Sequence, residues 1–198
     1  SLLTSTFATP QNLFNVTRNF AFTGIMAVGM TIVIISGGID LSVGSTVLIS
    51  GVVTAIMMSS GFPLWLALPA AMLGSLLVGL VNGVFIAVLG MPPFVVTLGM
   101  MSIARSIGQV RTQNKMIYQF GPDQAALLAI GGGSQGIHLP LLERLPIPNP
   151  LLVLLVLVVI AAFMLRWTKW GRYVFALGGN EKAAVLTGVP VKTVKISV

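Results

Sequence analysis

Cysteine is absent from the 198 residues, histidine occurs once, at His138, and the acids number four: Asp40, Asp123, Glu143 and Glu181. Without cysteine there is no disulfide frame, no thiolate metal site and no nucleophilic thiol. A single histidine with no nearby acid cluster reads as a loop residue rather than a metal ligand. The dispersed acids offer no catalytic pair, and no Gly-x-Ser-x-Gly, His-Glu-x-x-His or Gly-x-x-x-x-Gly-Lys stretch occurs. The residues therefore predict no catalytic site, no metal and no cofactor held by this chain. Charge is scarce as well: 8% of residues are charged, against about 25% in an ordinary soluble domain.

Apolar residues fill the space. They make up 56% of the chain, and the mean hydropathy is +0.99, which places the protein in a lipid bilayer. A helix needs roughly 20 residues to cross about 30 Å of hydrocarbon. Phe20 to Ile39, Leu41 to Ser59, Leu64 to Leu89 and Pro150 to Trp167 are long enough. Phe94 to Gly108 is short and carries Arg105, so it reads either as a span that snorkels its arginine or as a re-entrant segment. The fold class expected is all-α, a polytopic transmembrane bundle with about five spans. Residues 1–198 form one membrane domain, joined by the turn Ser60-Gly61-Phe62-Pro63, the turn Gly90-Met91-Pro92-Pro93 and a long loop over 109–149 containing Gly131-Gly132-Gly133.

The net charge of +7 could suggest nucleic acid, but the eleven basic residues form no stripe with interleaved aromatics. Six of them, Arg166, Lys169, Arg172, Lys182, Lys192 and Lys195, cluster after the last full span. By the positive-inside rule, 166–190 is a cytoplasmic loop and 109–149, where Asp123 and Glu143 offset Arg111, Lys115 and Arg144, is an outer loop. Arg18 falls on the outer side in this scheme. The start at Ser1 and the apolar opening of Val191 to Val198 suggest a segment of a longer chain.

Two patterns stand out within the spans. In Ser36-Gly37-Gly38-Ile39-Asp40-Leu41-Ser42-Val43-Gly44, a lone acid sits among small residues between two apolar runs. A carboxylate facing lipid costs roughly 2.5 to 3.5 kcal/mol, so Asp40 is either a cap for a helix restarting near Leu41 or a charged element of a gate, with Gly38, Ser42 and Gly44 around it. In Leu64 to Leu89, Ala67, Ala71, Ser75, Gly79, Gly83 and Ala87 recur every fourth residue. Such a stripe predicts a closely packed neighbouring helix at Ser75, Gly79 and Gly83, with Asn82 beside it able to hydrogen-bond across.

The basic loop holds the most specific pattern. Gly171-Arg172-Tyr173, then Ala176-Leu177-Gly178-Gly179-Asn180-Glu181, Ala183-Ala184 and Gly188-Val189, reads as a glycine-broken approach, a cap at Asn180, a short helix Glu181 to Thr187 with small residues outward, and a stop at Gly188. This resembles the coupling loop of bacterial ABC importer permeases of the monosaccharide type, those of the ribose, xylose, galactose and autoinducer-2 systems. Gly38-Ile39-Asp40-Leu41-Ser42-Val43-Gly44, after Met26-Ala27-Val28-Gly29-Met30-Thr31, looks like a second signature of that family, and Thr97-Leu98-Gly99-Met100-Met101 like a third.

The resemblance covers most of residues 21–190. It implies a permease subunit of about ten spans in a bacterial inner membrane, paired with a second permease copy or homologue. It further implies an ATP-binding subunit, which uses the ATP, docked on Gly178, Gly179, Asn180, Glu181, Ala183, Ala184 and Gly188, and an extracytoplasmic sugar-binding protein. The outer loop, with Gln113-Asn114-Lys115 and Gly131-Gly132-Gly133, departs from the family's usual one. Alternatives are a branched-chain amino-acid or nucleoside ABC permease, whose corresponding turn resembles Gly-x-x-Asn-Leu, and a secondary transporter with a buried carboxylate for ion coupling.

Overall fold

A computed structural model describes residues 9–132 and 147–198, and its regular elements are all α-helices. They are α1 (Pro10–Ile35), α2 (Val43–Ser59), α3 (Leu64–Ala87), α4 (Pro93–Thr112), α5 (Gln124–Ile130), α6 (Asn149–Trp167), α7 (Lys169–Gly179), α8 (Glu181–Leu186) and α9 (Val191–Ser197). Among the described residues α1, α3 and α6 are long and apolar enough to cross a membrane. The 17 residues of α2 are apolar but shorter. The segment expected to be short is a 20-residue helix, α4, about 30 Å long.

Glycine and proline set most boundaries. The expected span Phe20 to Ile39 is corrected to Pro10–Ile35, because Gly37 adopts φ +82° and the Gly38 N–H donates to the Val33 carbonyl at 3.0 Å. That pairing closes a helix in a Schellman turn and wants glycine at the left-handed position. The same device ends α2, with Gly61 at φ +89° and the Phe62 N–H donating to Met57 at 3.0 Å. At the start of α3 the Leu64 N–H donates to Asp123 Oδ2 at 2.8 Å. A carboxylate at a helix N-terminus satisfies an orphan donor and complements the dipole.

The described helices form two compact units. The first groups α1 as far as Gly29 with α5 and with α6 as far as Phe163: Gly24 faces Leu154, whose Cδ2 would lie 2.6 Å from an added Cβ. Arg18 Nη1 donates to the Gly132 carbonyl at 2.9 Å, and Asn149 Nδ2 to the Ala129 carbonyl at 2.6 Å. In the second unit α2 packs against both α3 and α4. Gly108 of α4 gives room to Leu48, and Ala104, one turn earlier, is fully buried. The end of α1 and α7–α9 belong to this second unit, where Val174, Leu177 and Val194 form a small core with Ile32, Ile35 and Leu165 around it.

Candidate functional site

Asp40 lies in the non-helical link between α1 and α2, and not inside a helix. Its Oδ1 accepts from the Ser42 N–H at 2.7 Å and from the Ser42 hydroxyl at 2.6 Å. This is an Asx turn, local bonding that steers the chain into the first turn of α2. Helix α2 begins at Val43 rather than near Leu41, and Ser42, at its N-cap, makes no side-chain cap bond; its backbone is helical, at φ −85° and ψ −7°, rather than in the extended conformation that aims a capping oxygen at the first-turn N–H groups. Ser42 is 1% exposed, Gly38 half-buried and Gly44 exposed.

From α3, Asn82 Nδ2 donates to Ser42 Oγ at 3.0 Å, across the helix pair as the sequence suggests. The three side chains therefore form one directed chain, Asn82 to Ser42 to Asp40. Ser42 has a single hydroxyl hydrogen and Asp40 takes it, so Asn82 must present its NH2 group to Ser42. That orientation leaves Asn82 Oδ1, in a side chain 6% exposed, with no partner. Buried amide oxygens are seldom left so.

A half-open cavity of about 490 Å³ lies beside this chain, within the second unit. Asp40 and the Ser36–Ile39 turn form one wall, Ser75, Gly79 and Asn82 of α3 another, Thr97 of α4 a third, and Glu181 with residues 195–198 complete it. Thr97 carries only a family signature in the sequence and Lys195 only one charge of the basic cluster, yet both line the cavity. Nothing in a linear sequence ties Lys195 to Asp40, since the link is tertiary.

The basic loop folds as two short helices, α7 and α8, and a third, α9, follows it. Thr168 Oγ1 accepts from the Gly171 N–H at 3.1 Å to cap α7, and Asn180 Oδ1 accepts from the Ala183 N–H at 3.1 Å to cap α8. Gly188 at φ +79° ends α8, with the Val189 N–H donating to Ala184 at 3.0 Å. Gly178 rests on the last turn of α1, where a Cβ would collide with the Ile35 carbonyl, whereas a Cβ on Gly179 would meet nothing within 4 Å. Lys195 Nζ pairs with Glu181 Oε1 at 2.6 Å. The Asp40 turn and the α7–α8 junction thus lie close together in the same unit, with Gly37 facing the Gly178 backbone and Asp40 and Glu181 lining one cavity.

Two expectations are corrected here. Small residues of α8 were to face outward; Ala183 does, but Ala184 is 2% exposed, because α8 lies against α7 and α9. The outward apolar side chains are Val185 and Leu186, the latter 88% exposed. The small-residue stripe of α3 was to be packed along Ser75, Gly79 and Gly83. Close contact occurs at Gly83, 3.0 Å from Ile196 Cα to an added Cβ, while Gly79 has nothing within 4 Å and lines the cavity with Ser75. The seven residues of α9 reach only the end of α3. His138, Glu143, Arg144 and Gly133 lie outside the described residues. Among those described, no group of three or more His, Asp or Glu side chains could hold a metal ion.

The model of the family described as branched-chain amino acid transport system, permease component, matches residues 12–198. The chain is 36% identical over its whole length to the ribose import permease protein of Haemophilus influenzae and 37% to that of Escherichia coli K12, covering 59% of each relative. It is 34% identical to the L-arabinose ABC transporter permease protein of Azospirillum brasilense, again over the whole chain and over 55% of that relative. The chain thus spans little more than half the length of these relatives. No solved structure matches it.

Proposed function

The chain belongs to the branched-chain amino acid transport system permease-component family, and on that premise we propose that it is part of the membrane-spanning permease of an ABC importer that brings a monosaccharide across a bacterial inner membrane. The observation that carries the sugar reading is the whole-chain identity of 34–37% to relatives named for ribose import and for an L-arabinose ABC transporter. The Asp40-Leu41-Ser42 turn agrees with it. A branched-chain amino-acid permease is the second reading, favoured by the description of the matching family.

In the proposed arrangement the permease pairs with a second copy or homologue, receives sugar from an extracytoplasmic binding protein, and has no catalytic role of its own. A separate ATP-binding subunit docks on the outward edge of α8, at Glu181, Lys182, Ala183, Val185 and Leu186. Force at α8 would pass through the Gly178 contact to the end of α1 and the Asp40 turn. Asp40 then lies where docking and opening meet, which fits a gate element as well as a cap.

Uptake of labelled ribose, arabinose and leucine by cells carrying the full-length protein and its partners tests the substrate. Leucine uptake without sugar uptake would select the second reading. Single cysteines at Lys182 and Ala126, both exposed, test orientation; labelling of Lys182→Cys only from outside would overturn it. For Asp40, a pure cap predicts that Asp40→Asn keeps most transport, at a cost of at most about 1 kcal/mol. A gate that needs the charge predicts loss in Asn with partial rescue by Asp40→Glu, both measured per unit of permease in the membrane.

A further inference from the structure

Helix α6 ends at Trp167, and a bend at the extended Thr168 turns the chain into α7. Because α6 is long and apolar enough to cross a membrane, its last residue falls at the water interface, where tryptophan is enriched. Two contacts hold α7 beside it. Gly171 lies so close to the Leu165 carbonyl that a Cβ would collide with it, and Trp170 Nε1 donates to Ser197 Oγ at 2.8 Å. With Gly171, Val174 and Leu177 buried, Lys169, Arg172 and Phe175, three residues apart on the other side, are exposed. Arg166 is exposed just before the bend, its guanidinium 5.6 Å from the centre of the Trp167 ring.

This corner carries three positive charges with no acid to meet them. No Asp or Glu occurs between Glu143 and Glu181, and Glu181 is held by Lys195. Among the described residues no hydrogen bond or ion pair engages Arg166, Lys169 or Arg172. Beside these charges Trp167 is 67% and Phe175 52% exposed. A loop that only obeys the positive-inside rule stays in water and has no use for bare aromatic rings. Bases and rings together match the boundary of a bilayer, where phosphate takes the charge and the upper acyl chain takes the ring.

We propose that the α6–α7 corner, through Arg166, Trp167, Lys169, Arg172 and Phe175, binds an anionic phospholipid of the surrounding bilayer. The phosphate lies among the three bases, and the two rings seat the top of the acyl chains. Gly178 of the same helix rests on the end of α1, so the lipid braces the helix from which α8 follows. The site is independent of which solute is imported.

The complete transporter is placed in phosphatidylcholine bilayers, and its fluorescence is read as brominated phosphatidylglycerol or brominated phosphatidylcholine is added. Each reading is taken against the matching Trp167→Phe protein, which isolates the quenching of Trp167. Half-quenching should need at least about fivefold less of the anionic lipid, the effect of a single base near a charged surface. Arg166→Gln, Lys169→Gln and Arg172→Gln together should bring the two lipids level, whereas Arg166→Lys with Arg172→Lys, which keeps the charge, should retain most of the preference. Raising salt from about 0.05 to about 0.5 M should shrink the preference of the native protein, and serves if the glutamine variant does not insert.

Equal quenching by the two lipids, or a preference that survives the glutamines or high salt, overturns the site. Quenching by neither lipid overturns it as well, and its appearance once the ATP-binding subunit is stripped away would assign the corner to that subunit instead.

Discussion

Along α6, Val159 is 67% exposed and Leu155 54%, and the helix buries only Pro150 and Leu154. In the run that follows, α7–α9 bury Val174, Leu177, Ala184 and Val194 to 4% or less. Both stretches carry apolar residues, yet they use them oppositely. A helix in lipid gains little by turning its leucines inward, since the surrounding tails are as apolar as any core, and its backbone is satisfied within itself. Helices of six to eleven residues are too short to hold together alone. They depend on caps at Thr168 and Asn180, on the turn at Gly188 and on a shared core. Apolarity in the first case describes the solvent, and in the second the packing.

If that contrast is right, the largest effect belongs to Gly178→Val. A side chain there collides with the Ile35 carbonyl, and the loss should exceed about 4 kcal/mol, in the range of severe core damage. The neighbouring Gly179→Ala should change stability by no more than about 1 kcal/mol. Thermal unfolding of the full-length permease in detergent measures both, and equal damage at the two positions would break the distinction.

Next in size is Ala184→Arg, which buries an unpaired charge and should cost about 3 kcal/mol. Ala183→Arg, one residue away and exposed, should leave the melting temperature alone but abolish sugar-stimulated ATP hydrolysis by the assembled transporter. Normal hydrolysis in the Ala183 variant would remove the outward edge of α8 as a docking surface.

Third comes Gly83→Leu, which forces α9 away from α3 and should cost about 1 to 3 kcal/mol as overpacking does. Gly79→Leu projects into the cavity and should be close to neutral in stability. A melting temperature lowered by the second and not by the first would reverse the assignment of the packed glycine. The smallest effect is expected on α6, where Val159→Ala should stay within about 0.5 kcal/mol. A larger loss there would mean that this face of α6 is covered in the complete protein.

Much of this was legible in the residues. The turn at Gly61, the cap at Asn180 and the stop at Gly188 are local devices, each decided within five or six residues of sequence, whereas the turn at Gly37 ends α1 inside a stretch whose apolar pattern runs on to Ile39. Asn82 bonding across to α2 was also legible, as a polar side chain beside a run of small ones. Two things were not. The inward turn of Ala184 follows from where α7 and α9 lie, and alanine carries no mark of which way it will face. Asp123 reads as one charge in a loop, but it caps α3 from 59 residues away, a pairing that no periodicity reveals.

Composition and short-range spacing determined the all-α class, the bilayer setting and those helix ends that a local cap or turn sets, at Gly61, Asn180 and Gly188, because lipid demands internally satisfied backbone and because caps act over a single turn. Only the tertiary structure decided that the Asp40 turn and Glu181 of α8 line one cavity, that Gly83 is packed while Gly79 is open, and that Asn82 keeps a buried oxygen without a partner. Those depend on which backbone approaches which across long separations in the chain, and equivalent glycines and amides in a stripe carry no local information about the approach.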